Sequence, residues 1–313
     1  MDILLCGNFD ADERQSWQQA LAQALPEGRW LDLDEARAQP AAVQAAVVAN
    51  PPPGSLQGLP ALRLIQSLWA GVDRLLADAT LPPGVPIARM VDPAMSAAMA
   101  QTALWATLAL QRGFFGYARQ QRQRLWRQHG QRRADECPVL VLGQGEIGGA
   151  VAQALARTGF PVTGWSRRAG EARGGVRRVA GAAALWQELP GAQVLVNLLP
   201  LTEATAGILD ARLFAALPHG AGLVNLARGR HVVDADLLAA LDRSQVGHAV
   251  LDVFHPEPLP PEHPFWTHER VTVLPHVAAQ TDERSAAAVV AANLRALREG
   301  REPLHRVDRR TGY

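Results

Sequence analysis

Residues 138–168 read PVLVLGQGEIGGAVAQALARTGFPVTGWSRR, and this stretch decides the fold. Val139, Leu140, Val141 and Leu142 form a short apolar run of the kind buried in a parallel sheet. Gly143, Gly145 and Gly148 follow at G-x-G-x-x-G spacing, and an alanine-rich helical pattern then continues to Gly159. A second apolar run, Phe160 to Trp165, ends in Ser166, Arg167 and Arg168. The order is strand, tight turn, helix, strand. Gly143 permits the turn, Gly145 lets backbone approach a pyrophosphate, and Gly148 lets helix and strand pack closely. The start of the helix, with Glu146 and Ile147 in its first turn, offers unpaired N–H groups to phosphates. A glycine triplet alone is weak evidence; between two strands and at the head of a helix it predicts a dinucleotide site.

The end of the second strand selects the cofactor. An NAD enzyme usually carries an acid about 20 residues on, where it holds the ribose 2′-OH. Here Ser166-Arg167-Arg168 stands there instead. A carboxylate would repel a 2′-phosphate, whereas a hydroxyl and guanidinium groups bind it by charge-assisted hydrogen bonds. NADP(H) is therefore the expected cofactor and NAD(H) the alternative, in which case the arginines are a solvated pair.

Composition sets the outer bounds. With 313 residues, 48% hydrophobic and 19% charged, the chain suits a globular protein of two domains. The formal net charge of +1 calls for neither a nucleic-acid partner nor an anionic membrane. The N-terminus, MDILLCGNFD, lacks a basic region and cleavage pattern, and no segment has the length of a membrane span, so a cytoplasmic location is expected. Cys6 and Cys137 have no partner pattern, and no His/Asp/Glu/Cys spacing suggests a metal site. All 31 basic residues are arginine. Without lysine there is no Schiff-base chemistry and no P-loop lysine, so a cationic catalytic group must be Arg or His.

Along the chain, strand-like runs at 3–6, 30–33, 47–49 and 62–68 alternate with a helix at 12–25 and loops, which predicts a parallel sheet. The run 68–73, with Trp69, Ala70 and Gly71, closes a strand with a glycine turn that can present N–H groups to an anionic substrate. Residues 92–120 read as one long helix. After Arg168 come a Gly/Arg-rich loop, a helix near 182–189, and the strand 193–198, which ends at Leu199-Pro200 and puts Pro200 on the expected cofactor rim. Further strands are read at 221–226, 249–253 and 271–274, with helices at 210–216 and 234–241. A last helix, 281–299, lies beyond the final strand and crosses back to the first domain. The expected division is 1–98 plus 285–313 for a substrate domain, with 99–284 as the dinucleotide domain and a cleft between the two crossings.

Arg228, Glu257 and His276 fall at or just beyond the ends of three successive strands, and the ends of parallel strands share one rim. Reducing a 2-oxo acid needs a cation to hold the carboxylate and polarise the carbonyl, a hydride donor, and an acid to protonate the alkoxide. Arg228 suits the first task and His276 the last. Glu257 would stand behind His276, since a carboxylate bonded to an imidazole orients it and favours its charged form. His255 and His263 compete for the acid role from a proline-rich connection.

Four segments, GQGEIGG, NLARG, LDVFHPEPL and PHVAAQT, make the whole chain resemble the D-2-hydroxyacid dehydrogenases. Within that family it is most similar to the glyoxylate/hydroxypyruvate reductase A group, which WSRR and the terminal VDRRTGY resemble. The resemblance implies an α/β protein of two doubly wound parallel-sheet domains: a Rossmann-type dinucleotide domain and a discontinuous flavodoxin-like substrate domain. It also implies a homodimer, the roles above for Arg228, Glu257 and His276, and Asp252 near the nicotinamide amide. The backbone of Ala70 and Gly71 would meet the substrate carboxylate. Trp69 departs from the small residue expected in that turn; its ring either narrows the pocket for small 2-oxo acids such as glyoxylate or hydroxypyruvate, or is structural. An NAD-dependent 2-hydroxyacid dehydrogenase of another substrate and a non-catalytic dinucleotide-sensing protein are the competing expectations.

Overall fold

Apolar strands linked by helices must bury both faces of a sheet, and the computed structural model, which describes residues 1–313, contains two all-parallel sheets of that kind. The chain divides into two units, Met1–Met95 with Thr281–Tyr313, and Ser96–Gln280.

In the first unit the elements run β1 (Asp2–Gly7), α1 (Ala11–Ala24), β2 (Arg29–Leu31), α2 (Leu33–Ala38), β3 (Val43–Ala49), β4 (Leu64–Ser67), α3 (Asp73–Leu76) and β5 (Ile87–Ala88). The sheet order is β2-β1-β3-β4-β5. Helices α1 and α2 start where side chains satisfy their free N–H groups: Asp10 accepts from Glu13, and Asp32 with Glu35 closes a reciprocal capping box at α2. Leu4, Cys6, Val48, Ile65 and Ile87 share a buried core with Leu31, Leu75 and Val307.

The division falls within α4 (Pro93–Gln111), which α5 (Phe114–Arg122) follows. The second unit continues with β6 (Val139–Leu142), α6 (Glu146–Arg157), β7 (Val162–Ser166), β8 (Arg177–Ala180), α7 (Ala182–Glu188), β9 (Val194–Asn197), α8 (Ala211–Ala216), β10 (Ala221–Asn225), α9 (Asp234–Asp242), β11 (Val246–Leu251) and β12 (Val271–Val273). A final helix, α10 (Glu283–Arg298), belongs to the first unit. The seven strands are ordered β12-β11-β10-β9-β6-β7-β8. Alternate residues feed two cores: Leu140, Leu142, Leu195 and Leu223 on one face, Val139, Val141, Val196 and Val224 on the other. The order reverses at β6, so the crevice favoured for a ligand in such sheets lies at the end of this strand, at Gly143. No helix is long and apolar enough to cross a membrane.

Two sequence expectations are corrected. The helix expected over 92–120 is two helices, because Gly113 adopts φ 69°, a left-handed conformation that ends α4 and that glycine takes at no steric cost. The Gly/Arg-rich loop expected after Arg168 contains β8, which pairs in parallel with β7 from Thr163↔Arg177 to Ser166↔Ala180. Its two arginines hide it, since an edge strand with charged side chains has the composition of a loop.

Candidate active site

The glycine turn is held by contacts that only glycine allows. Gly143 has φ +92°, and a Cβ there would stand 2.5 Å from the Leu198 carbonyl oxygen. A Cβ on Gly148 would lie 2.0 Å from the Gly143 carbonyl oxygen, so the first turn of α6 is pressed against the end of β6. Gly145 caps α6 without any side-chain hydrogen bond, and a Cβ built on it would meet nothing within 4 Å. No side chain caps the first-turn N–H groups of α6, those of Glu146 and Ile147 among them. That arrangement fits the pyrophosphate of a dinucleotide.

From this turn a chain of contacts runs across the strand ends. Gly143 abuts Leu198 at the end of β9. The last residue of β9, Asn197, is fully buried and donates through Nδ2 to Asn225 Oδ1 and to His231 Nδ1, each at 2.9 Å. His231 Nε2 in turn lies 3.3 Å from the Pro200 carbonyl, which also accepts from Thr205 Oγ1. Asn225 Nδ2 donates to the Arg228 carbonyl at 3.0 Å, while Arg228 Nη1 donates to the Ala227 carbonyl. At the next residue the turn touches the following loop: a Cβ on Gly229 would stand 1.9 Å from the Phe254 carbonyl carbon.

The Phe254 N–H donates to Glu257 Oε1, and Glu257 Oε2 accepts from His276 Nδ1 at 2.9 Å. His276 is half exposed, leaving Nε2 as the nitrogen not engaged by the carboxylate. Its backbone sits at φ 56°, a left-handed conformation rare for a side-chain-bearing residue, and its N–H donates to the Asp252 carbonyl. Asp252 is buried and accepts the N–H groups of Val277 and Ala278 through its carboxylate. Burial pushes its pKa up, against the pull of those two N–H groups and of His276. Asp252 thus braces the loop that carries the imidazole.

The remaining sequence-selected residues are placed as follows. Ser166 ends β7 and donates from Oγ to the Arg168 carbonyl at 2.8 Å, folding the exposed Arg167-Arg168 segment over the strand end. His263 bonds Asp234 and the Phe265 N–H, and His255 is exposed; neither shares the carboxylate that holds His276. Trp69, Ala70 and Gly71 lie in the first unit after β4. There Ser67 Oγ receives the Trp69 N–H and donates to the Trp69 carbonyl, each at 3.0 Å. The Trp69 ring stands edge-on to Trp17, with centroids 6.4 Å apart. Sequence reasoning missed Asn197, Asn225 and His231; buried amides at the ends of two adjacent strands were the available signal.

The family model of the D-isomer specific 2-hydroxyacid dehydrogenase NAD-binding domain matches residues 104–278. The chain is 42% identical to glyoxylate/hydroxypyruvate reductase A of Serratia proteamaculans over 97% of each chain. It is 40% identical to the protein of that name from Yersinia enterocolitica, over 96% of this chain and 97% of the other. Among solved structures, a D-isomer specific 2-hydroxyacid dehydrogenase from Xanthobacter autotrophicus Py2 in complex with NADPH and MES superposes with a TM-score of 0.93, 40% identity and 99% coverage of both chains. An NADPH-dependent glyoxylate/hydroxypyruvate reductase from Sinorhizobium meliloti in complex with NADP and sulfate gives a TM-score of 0.91 and 34% identity, covering 100% of this chain and 99% of the other. A glycine-rich turn that fits a dinucleotide, a carboxylate-held histidine on the same strand rim, and full-length relatives at this identity make the chain an enzyme that belongs to the D-isomer specific 2-hydroxyacid dehydrogenase family.

Proposed function

We propose that the enzyme reduces small 2-oxo acids with NADPH, converting glyoxylate to glycolate and hydroxypyruvate to D-glycerate. The observation that carries this reading is the His276 Nδ1 to Glu257 Oε2 hydrogen bond, set beside the Arg228 turn on the rim of the glycine-rich crevice. NADPH, when bound, supplies a hydride. Its pyrophosphate is met by the first-turn N–H groups of α6 at Gly145, Glu146, Ile147 and Gly148, and its 2′-phosphate by Ser166, Arg167 and Arg168. Pro200 and Asp252 belong to the same rim and shape the nicotinamide side of the site.

Arg228 pairs with the substrate carboxylate and polarises the carbonyl, so that negative charge developing on oxygen is met by a cation. His276 donates a proton from Nε2 to that oxygen while Glu257 holds Nδ1, which keeps the ring aimed. Being half exposed, the ring recovers its proton from solvent. The names of the two curated relatives support small 2-oxo acids as the substrate class.

The test is oxidation of NADPH and of NADH with glyoxylate, hydroxypyruvate and pyruvate, repeated with His276→Ala. NADPH is expected to be the faster donor, and the variant to be slower by roughly 10²–10⁴-fold. No oxidation of either nucleotide with any of the three acids would overturn the reductase assignment, whereas faster NADH oxidation would overturn the cofactor alone.

A further inference from the structure

The strand that the sequence conceals carries a cation with an unusual environment. Register places Arg178 of β8 opposite Gly164 of β7, two residues before Ser166. Its Nη2 lies 3.5 Å from Ser166 Oγ, and a Cβ built on Gly170 would stand 2.8 Å from that same nitrogen. The guanidinium is therefore held between the hydroxyl that ends β7 and the loop that Ser166 draws over it through the Arg168 carbonyl. Arg178 Nε is enclosed and has no hydrogen-bond partner. The contrast with its neighbour is direct. Arg177 is neutralised by Glu188 and also bonds Thr163, whereas the partner of Arg178 is a hydroxyl and not a carboxylate. A half-buried guanidinium without a counter-ion is unfavourable unless an anion reaches it.

We propose that Arg178 is a cofactor-specificity residue, its guanidinium joining Ser166 in receiving the 2′-phosphate of NADP(H). This rests on the NADP(H) reading above and deepens it. The phosphate of the adenosine ribose arrives at the end of β7, where NAD enzymes place an acid. There Arg178 offers a fork of N–H groups from a strand, fixed by sheet pairing, while Arg167 and Arg168 approach from an exposed loop. A charge shielded from water and held in place discriminates more strongly than one on a solvated loop, where salt screens it and side-chain freedom is lost on binding. Arg178 is thus the part of the pocket that distinguishes a phosphate from a hydroxyl, with the loop arginines adding attraction at longer range.

Direct binding measures this without turnover. Calorimetric titration of wild type, Arg178→Gln and Arg178→Lys with NADP+, NAD+, adenosine 2′,5′-bisphosphate and AMP gives the four affinities that matter. Losing a charge-assisted phosphate contact should weaken NADP+ and the bisphosphate by about tenfold or more in Arg178→Gln, leave NAD+ and AMP within about twofold, and leave Arg178→Lys in between. The NADP+ affinity of Arg178→Gln should also depend less steeply on salt. If wild type shows no preference for NADP+ over NAD+, the cofactor reading itself fails and this proposal with it. If wild type prefers NADP+ and Arg178→Gln keeps that ratio, only the role of Arg178 is overturned. Equal weakening toward NADP+ and NAD+ in both variants would instead assign Arg178 to the stability of β8, and overturn the proposal as well.

Discussion

Asn225 is the residue through which the two central loops of the rim are joined. Its buried amide accepts from Asn197 and from the Ala227 N–H and donates to the Arg228 carbonyl. His231 completes the set with Nδ1 accepting from Asn197 and Nε2 facing the Pro200 carbonyl, a pattern that suits the ring in its neutral Nε2–H form. Removing one member leaves the others unsatisfied in the interior. Asn225→Ala should therefore destabilise the protein by about 2–4 kcal/mol, the cost of orphaning the groups its amide serves, and lower kcat/KM for a 2-oxo acid through the loosened Arg228 turn. Urea unfolding and steady-state rates measure both; unchanged stability would show that water replaces the lost amide. His276 and Glu257 were legible in the sequence because each stands just beyond a recognisable strand. The asparagine pair was not, because its meaning depends on the register Asn225↔Asn197 between strands 28 residues apart.

Among the elements, the β6-α6-β7 unit was the most legible, since apolar runs and glycines with steric duties mark each boundary. In the 3-residue turn at Gly229–His231 it is the first position that is closed to a side chain. Gly229→Ala would drive a methyl group into the Phe254 backbone, so the two loops must separate and Arg228 must move relative to Glu257. The expected result is a loss of kcat/KM of about 10²-fold or more from misplacement near 1 Å. NADP+ binding at α6 should survive, as calorimetry would show; retention of full activity would mean the loop over Phe254 yields freely. Elements near a sheet edge or a helix break were least legible. β8 reads as a loop, and the junction of α4 and α5 turns on the single backbone conformation of Gly113.

At the scale of the whole molecule, stability should carry a signature of one buried histidine. His248 of β11 stacks on Phe115 with ring centroids 4.1 Å apart and bonds Thr272 through Nε2. Burial, with the positive charges of Arg119, His268 and Arg270 adding to it, lowers its pKa from 6.5 to about 3. The unfolded chain then takes up a proton that the folded chain refuses across that interval. Stability is complete above about pH 6.5 and is lost progressively as pH falls toward 3, by on the order of 4 kcal/mol for this group. Urea midpoints at pH 7 and pH 4.5 should therefore lie closer together for His248→Gln than for wild type; an equal drop in both would remove His248 as the cause. The two-sheet architecture itself was legible from strand–helix alternation, whereas this stacked pair, which joins α5 to β11, was not, because α5 is separated from β11 by more than 100 residues and no local pattern links them.

The position of β8 has a last consequence. As the outermost strand of the seven, paired only with β7, it presents one side of its backbone as a template on which another chain could add a strand. Arg178, which no carboxylate neutralises, is the guard charge on that template. Redesigning the cofactor preference by putting a neutral, apolar side chain at 178 would weaken the guard at the same stroke, so variants of altered nucleotide choice should be selected for solubility in the same screen.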